Sequence, residues 1–479
     1  MIRGYAEQPS PRAGQSVTLR VATDARRFRV DVYRCGQAFE LVHRTGWLPG
    51  ADAPPHLPWH DWGRQGTGLR GEPLAPWPAH TLDVGREWRP GVHVAVLVEE
   101  GDTSGEPPAP VTADARAGAA LFVVRSAVDT PRRAPILYKL PLLTYHAYDL
   151  AGGEPYDATA QTGQWCFYNV PRAREVPIPF PGGLGLHRPG GGTGATPYDV
   201  FNTDPFDPTP RQTFAHWDAK FVGWLERAGY EVEYCTDVDL HREGAALLAP
   251  HRLLVSAGHD EYWSDAMRDA VDEHVAGGGN VAFFSGNTCW WRVVFSDDVT
   301  FERLHFWHDP ETPGEPENTT VGVSFRNGGE RDRDDFPVPV GYRVQHAGHW
   351  VYQGTGLHDG DVFGERDYIV GYECDGAAFD RADLAAGRIV EPTGDDGTPK
   401  DFTILAVGDC RPSGWGFGNG AATMGLFTRP GGGTVFTAST TDWARVLAAG
   451  EAAVGRITAN VLDRLGAAPP VPADGSRPT

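Results

Sequence analysis

The chain has 479 residues, 41% hydrophobic and 22% charged, the balance of a globular protein too long for one ordinary core. Its 42 basic and 63 acidic side chains give a formal charge of −21, which argues against a nucleic-acid backbone or an anionic membrane as partner. Lys139, Lys220 and Lys400 are the three lysines, all other basic residues being arginine, so Schiff-base chemistry has few candidate nucleophiles.

Residues 1–128 read as strands. Ser16-Val-Thr-Leu-Arg-Val-Ala and Phe28-Arg-Val-Asp-Val-Tyr alternate apolar and polar residues, as half-buried strands do. Val92-His-Val-Ala-Val-Leu-Val and Ala120-Leu-Phe-Val-Val continue the pattern between Gly-, Pro- and Asp-rich connections. An all-β, immunoglobulin-like sandwich is the expectation. Thr130-Pro-Arg-Arg-Ala-Pro then reads as a linker between two separately folding parts.

From residue 135 the rhythm changes. Ile136-Leu-Tyr-Lys-Leu-Pro-Leu-Leu-Thr reads as a strand, 214–228 as a helix, and Tyr230-Glu-Val-Glu-Tyr-Cys and Arg252-Leu-Leu-Val-Ser as strands. A helix over 265–275 capped by Ser264, a strand at Asn280-Val-Ala-Phe-Phe and another at Gly433-Thr-Val-Phe-Thr-Ala-Ser follow. A closing helix over 453–465 completes an α/β domain at 135–467 with an expected parallel sheet of flavodoxin type. Residues 296–430 read as an inserted cap and 468–479 as a flexible tail.

No apolar stretch suited to export follows Met1, and no uncharged apolar run is long enough to span a membrane, so the expected location is cytoplasmic. The six cysteines are scattered without C-x-x-C spacing and read as reduced thiols.

In an open parallel sheet, chemistry gathers at the carboxyl ends of the strands. Four segments fall there. Gly258-His-Asp-Glu-Tyr-Trp-Ser carries His259 and Glu261 two residues apart, on one side of an extended chain, though a solvated loop would look the same. Ser285-Gly-Asn-Thr-Cys carries Asn287, able to orient a carbonyl or water or simply to make a turn. Thr144-Tyr-His-Ala-Tyr-Asp and Gly152-Gly-Glu-Pro-Tyr crowd tyrosines together, where edge-of-core aromatics are the plain alternative. Thr440-Thr-Asp-Trp carries Asp442, equally a helix cap. Cys289 lacks the glycine spacing of a nucleophile elbow and reads as a buried thiol, and no G-x-S-x-G or H-E-x-x-H is present.

Leu140-Pro-Leu-Leu-Thr-Tyr-His-Ala-Tyr-Asp, Gly152-Gly-Glu-Pro-Tyr, Leu186-His-Arg-Pro-Gly-Gly-Gly, Trp224-Leu-Glu-Arg-Ala-Gly-Tyr, Gly258-His-Asp-Glu-Tyr-Trp-Ser and Gly286-Asn-Thr-Cys-Trp-Trp-Arg occur in that order. Together they resemble the large (beta) subunit family of N,N-dimethylformamidase, over residues 130–465. The resemblance implies a class I glutamine amidotransferase-like α/β domain behind a β-rich N-terminal domain. It also implies one mononuclear Fe(III) held by two tyrosinates and a carboxylate. Carried over, the ligands are Glu261, Tyr148 and Tyr156, with Tyr168 a competing second tyrosine. His259 and Asn287 would orient substrate, and Asp442 would stand where the family has an acidic residue. The chain departs from the amidase at Asp260, where the amidase has proline, and at Asp149, where relatives often have Asn.

The expected function is therefore iron-dependent hydrolysis of the C–N bond of a small amide, with a small accessory subunit or a homo-oligomer as assembly. The alternative is a non-catalytic carbohydrate- or protein-binding protein on the same fold. A sugar-processing activity, suited to the 15 tryptophans, is the third reading.

Overall fold

Residues 2–52, 77–101, 118–131, 133–148, 183–187, 213–310, 314–331 and 338–467 are described by a computed structural model. The alternating N-terminal segments pair as two sheets. β1 (Arg3–Ala6), β2 (Ser16–Ala22) and β6 (Ala79–Asp83) form a three-stranded sheet. β3 (Arg27–Cys35), β4 (Phe39–Arg44), β5 (Leu48–Pro49), β7 (Gly91–Glu99) and β8 (Gly118–Val124) form a five-stranded one. Alternate residues of β3, β7 and β8, including Phe28, Val30, Leu97 and Phe122, pack against Val17, Leu19 and Val21 of the smaller sheet.

The opposite face of the five-stranded sheet is also apolar. Tyr33, Cys35, Val92, Val94, Val96, Leu121 and Val123 share one continuous core with the α/β body. Buried ion pairs ring this contact: Arg34 with Glu226, and Arg125 with Asp239 at 2.7 Å. The segment around Thr130 is thus a hinge-like link in sequence only, because the two parts it joins share a core.

The body opens with β9 (Ile136–Leu140), α1 (Leu142–Tyr148), β10 (Gly183–Gly185), α2 (Asp218–Arg227), β11 (Val232–Thr236), α3 (Asp237–Glu243) and α4 (Ala245–Leu248). β12 (Leu253–His259), β13 (Tyr262–Ser264), α5 (Asp265–Ala276), β14 (Asn280–Gly286), β15 (Trp291–Phe295) and β16 (Thr300–Phe306) follow. Then come α6 (Asn318–Val321), β17 (Ser324–Glu330), β18 (Tyr342–Val344), β19 (Val362–Phe363), β20 (Glu373–Gly376) and α7 (Arg381–Ala385). β21 (Thr403–Asp409), β22 (Ala421–Thr428), β23 (Thr434–Thr437), α8 (Trp443–Ala448) and α9 (Ala452–Gly466) complete it.

A nine-stranded sheet in the order β11-β9-β12-β14-β23-β22-β21-β18-β19 organises these elements. From β11 to β23 neighbouring strands run parallel. From β23 to β19 they run antiparallel. β10, β16, β15 and β13 make a smaller sheet at the strand ends, and β17 pairs with β20.

Three expectations change. The apolar run after residue 136 is a strand only to Leu140; Pro141 cannot donate to a sheet ladder, and its carbonyl accepts the first helical bond, from Tyr145 N at 3.2 Å. A continuous apolar run does not distinguish a buried strand from a buried helix, so the expected strand reaches Thr144 where α1 has already begun at Leu142. Residues 296–430 are not wholly a cap. The apolar β21 and β22, with β18 and β19, extend the main sheet, which is therefore mixed rather than purely parallel.

Candidate active site

Tyr148 ends α1, one helical turn after Thr144, so the two side chains share a face of the helix. Both meet Glu261: the Tyr148 hydroxyl donates to Glu261 Oε2 at 2.8 Å, and Thr144 Oγ1 accepts from Glu261 N at 3.1 Å. The Glu261 carbonyl accepts from Trp290 N and Trp291 N at 3.0 and 2.9 Å, so the residue is held from two sides. Glu261 and His259 are buried and Tyr148 is half-buried.

His259, the last residue of β12, lies between two carboxylates. Its Nε2 is 3.4 Å from Glu261 Oε2 and 2.7 Å from Glu373 Oε2. Burial opposes a charge on this ring, but Glu373 and Glu261 outweigh it and push His259 up to about 9. Its Nδ1 has no hydrogen-bond partner among the described residues. Tyr148, Trp217 and Tyr372 surround the ring, with centroids 5.5, 5.8 and 6.3 Å away. Gly258 makes this enclosure possible: its φ is +69°, and a Cβ there would lie 2.6 Å from Trp217 Cβ.

Asn287 follows β14 with a left-handed φ of 48°, and Cys289 has a φ of 57°. Surrounding bonds fix this turn: Asp375 accepts from Asn287 N and Thr288 N at 3.0 and 3.2 Å, and the Asp260 carbonyl accepts from Cys289 N at 2.9 Å. Asn287 Nδ2 donates to Glu373 at 3.2 Å, while its Oδ1 has no partner among the described residues. Burial, only partly offset by those backbone donors, pushes Asp375 up to about 8. Cys289 is fully buried and its thiol is pushed well up by that burial, which suits no nucleophile.

The structure thus brings Tyr148, His259, Glu261 and Asn287 together. Asp442 stands behind them: its carboxylate accepts from Arg445 and, at 2.6 Å, from Tyr372 N, steadying the segment that carries Glu373. Tyr156 and Tyr168 lie outside the described residues. Glu373 and Asp375 were missed. Both lie on the four-residue β20, too short to show a period, in a stretch read as a cap.

Among the described residues no cluster of three or more His, Cys, Asp or Glu side chains is arranged to hold a metal. The Tyr148 and Glu261 oxygens are hard donors already close enough to share one ion, a set that fits a ferric ion. The described helices include none long and apolar enough to cross a membrane.

Residues 70–455 match the family model described as "N,N-dimethylformamidase beta subunit-like, C-terminal". Two relatives named "N,N-dimethylformamidase beta subunit" are similar over part of the chain. The protein from Alcaligenes sp is 25% identical over 214 residues, covering 40% of this chain and 26% of its own. The protein from Paracoccus aminophilus is 25% identical over 213 residues, with the same shares. The chain therefore spans about a quarter of the length of the curated relatives it matches.

Proposed function

The chain belongs to the N,N-dimethylformamidase beta subunit-like, C-terminal family, and on that footing we propose that it hydrolyses the C–N bond of a small amide with one ferric ion. The observation that carries this reading is the Tyr148 hydroxyl 2.8 Å from the Glu261 carboxylate, beside His259, at the carboxyl ends of parallel strands. The ligands in this reading are Tyr148, Glu261 and a second tyrosine, Tyr156 or Tyr168. Bound there, Fe(III) supplies Lewis-acid activation of a carbonyl and of water.

The remaining steps belong to the chain. Asn287 Oδ1, buried and without a described partner, accepts a hydrogen bond from substrate or water. Glu373 Oε2, 2.7 Å from His259 Nε2, favours the protonated ring, whose Nδ1–H gives a proton to the departing amine. Trp217 and Tyr372 exclude bulk water from the ring. Asp442 does not transfer the proton in this scheme; it holds Tyr372 and, through it, Glu373.

We also propose the amidotransferase-like fold for the body and the immunoglobulin-like class for the N-terminal sheets, which the parallel strand order and the two-sheet packing support. An accessory subunit or self-association accords with relatives named as beta subunits. The test is colour. A tyrosinate on Fe(III) gives a visible charge-transfer band that zinc cannot give. Iron-loaded protein should be coloured and should release amine from N,N-dimethylformamide, and Tyr148→Phe should bleach or shift the band. Ferric protein without colour sinks tyrosinate ligation.

A further inference from the structure

Between His259 and Glu261 stands Asp260, whose carboxylate turns away from both, into the body of the protein. There it meets Lys139 on the adjacent strand β9, Nζ to Oδ1 at 2.7 Å, and both side chains are fully buried. Ser256 Oγ donates to Asp260 Oδ2, and Trp263 Nε1 donates to Oδ1 at 3.0 Å. The Lys139 ammonium also lies 4.9 Å from the centre of the Trp263 ring. Its field reaches two more buried carboxylates, Asp218 and Asp237, holding each lower than burial alone would set it.

Such a pair is a poor way to gain stability, because desolvating two ions cancels most of their attraction and packed apolar residues do as well. What a buried pair does supply is direction. In an extended segment the middle side chain and its two neighbours point oppositely, so anchoring Asp260 fixes where His259 and Glu261 project. A compact ammonium suits this single-point contact better than a guanidinium fork, and Lys139 is a lysine in a chain whose cations are almost all arginine.

Resting on the metal-centre reading above, we infer that Lys139 is a positioning residue: it pins Asp260 and thereby aims His259 and Glu261 at the site. Lys139 itself touches no substrate. Removing it alone strands three buried carboxylates, so the informative protein is the double variant Lys139→Met with Asp260→Asn, which keeps an amide oxygen for Ser256 and Trp263. Asp260→Asn alone is the second variant, should the double variant not fold.

Two measurements are made on each folded protein. One is ferric ion retained per chain after loading with a ferric salt, with its visible band. The other, on metal-free protein, is the imidazole ¹⁵N signal of His259, identified by its loss in His259→Gln. The inference expects a displaced His259 signal and iron affinity lower by roughly tenfold to a hundredfold. A His259 signal superimposable on that of the wild type overturns it, whatever the iron result. If wild-type protein takes up no iron while the His259 signal still moves, the metal reading falls and the positioning role stands.

Discussion

His259-Asp260-Glu261 and Glu373-Cys374-Asp375 face each other across the site, and both use alternation, with outer residues turned inward and the middle one turned away. The first continues β12, which has parallel neighbours on both sides, and its middle residue is anchored by charge. The second sits on the four-residue β20 and its middle residue is apolar in character: Cys374 Sγ lies 3.8 Å from Cys410 Sγ, and burial pushes its thiol well up. Backbone bonds do the work of the missing ion pair, Asp375 N donating to Ser439 O at 3.0 Å and Thr441 N to Glu373 O at 3.1 Å. One side of the site is thus aimed by a side-chain ion pair and the other by main-chain bonding to the segment after β23. Side-chain substitutions should therefore disturb the first more than the second.

The largest effect is expected at Glu261. Glu261→Gln should abolish iron loading and lower turnover about a thousandfold, as removal of a metal ligand does. The fold should persist, and Glu273→Gln, on the exposed face of α5, should change neither metal content nor rate. Equal iron in the Glu261→Gln protein removes this residue from the site.

Glu373→Gln tests the opposite side. Iron content should stay near that of the wild type while kcat falls about a hundredfold, because His259 loses its nearer carboxylate and with it the proton it donates. A parallel loss of iron and rate would instead make Glu373 a ligand.

Behind the first side lies Asp218, which accepts from Tyr138 at 2.7 Å and from Tyr145. Burial pushes its carboxyl up to about 7 against the hydrogen bonds that lower it. A carboxyl with a raised folded pKa favours the native state below its unfolded value and loses that contribution as pH rises through about 7. Between pH 5 and 8 this group alone should remove roughly 2–3 kcal/mol of stability. Asp218→Asn should flatten that part of the profile in denaturant melts across the range; an unchanged slope would show that Asp218 ionises normally.

Cys374→Ala should do least. It removes one buried sulfur without touching the backbone bonds, costing about 1 kcal/mol, and should leave the kcat for the amide within about twofold. A large fall in kcat would mean that the middle residue, not the main chain, aims Glu373 and Asp375.

How much of this could be read beforehand follows from physical length and rhythm. β2 spans the seven residues whose alternation announces it, and α5 begins after the serine whose hydroxyl caps it, accepting from Met267 N at 3.3 Å. His259 ends and Asn287 directly follows an apolar strand of the parallel sheet, the positions at which the sequence pattern sets them. Tyr148 is singled out by the family resemblance and expected just past a strand end; it lies on α1, since periodicity is silent on an apolar run broken only by Pro141. β20 is too short for any period to show, and its partner β17 is Ser324-Phe-Arg-Asn-Gly-Gly-Glu, with little apolar content. Glu373 therefore had no local signature; only the long-range contact with His259 reveals it. Asp442, expected as either a site acid or a helix cap, makes its bonds to Arg445 and Tyr372 N.

The doubly covered sheet of the N-terminal region has a consequence for synthesis. Val92, Val94, Val96, Leu121 and Val123 leave the ribosome with β7 and β8, while part of the core that covers them waits for β11. More than a hundred residues separate β8 from the end of β11. At roughly 5–20 residues per second, that apolar face stays uncovered for about 5–20 seconds on every nascent chain. A chaperone that binds valine-rich sheet faces has its window there, before the body exists to displace it.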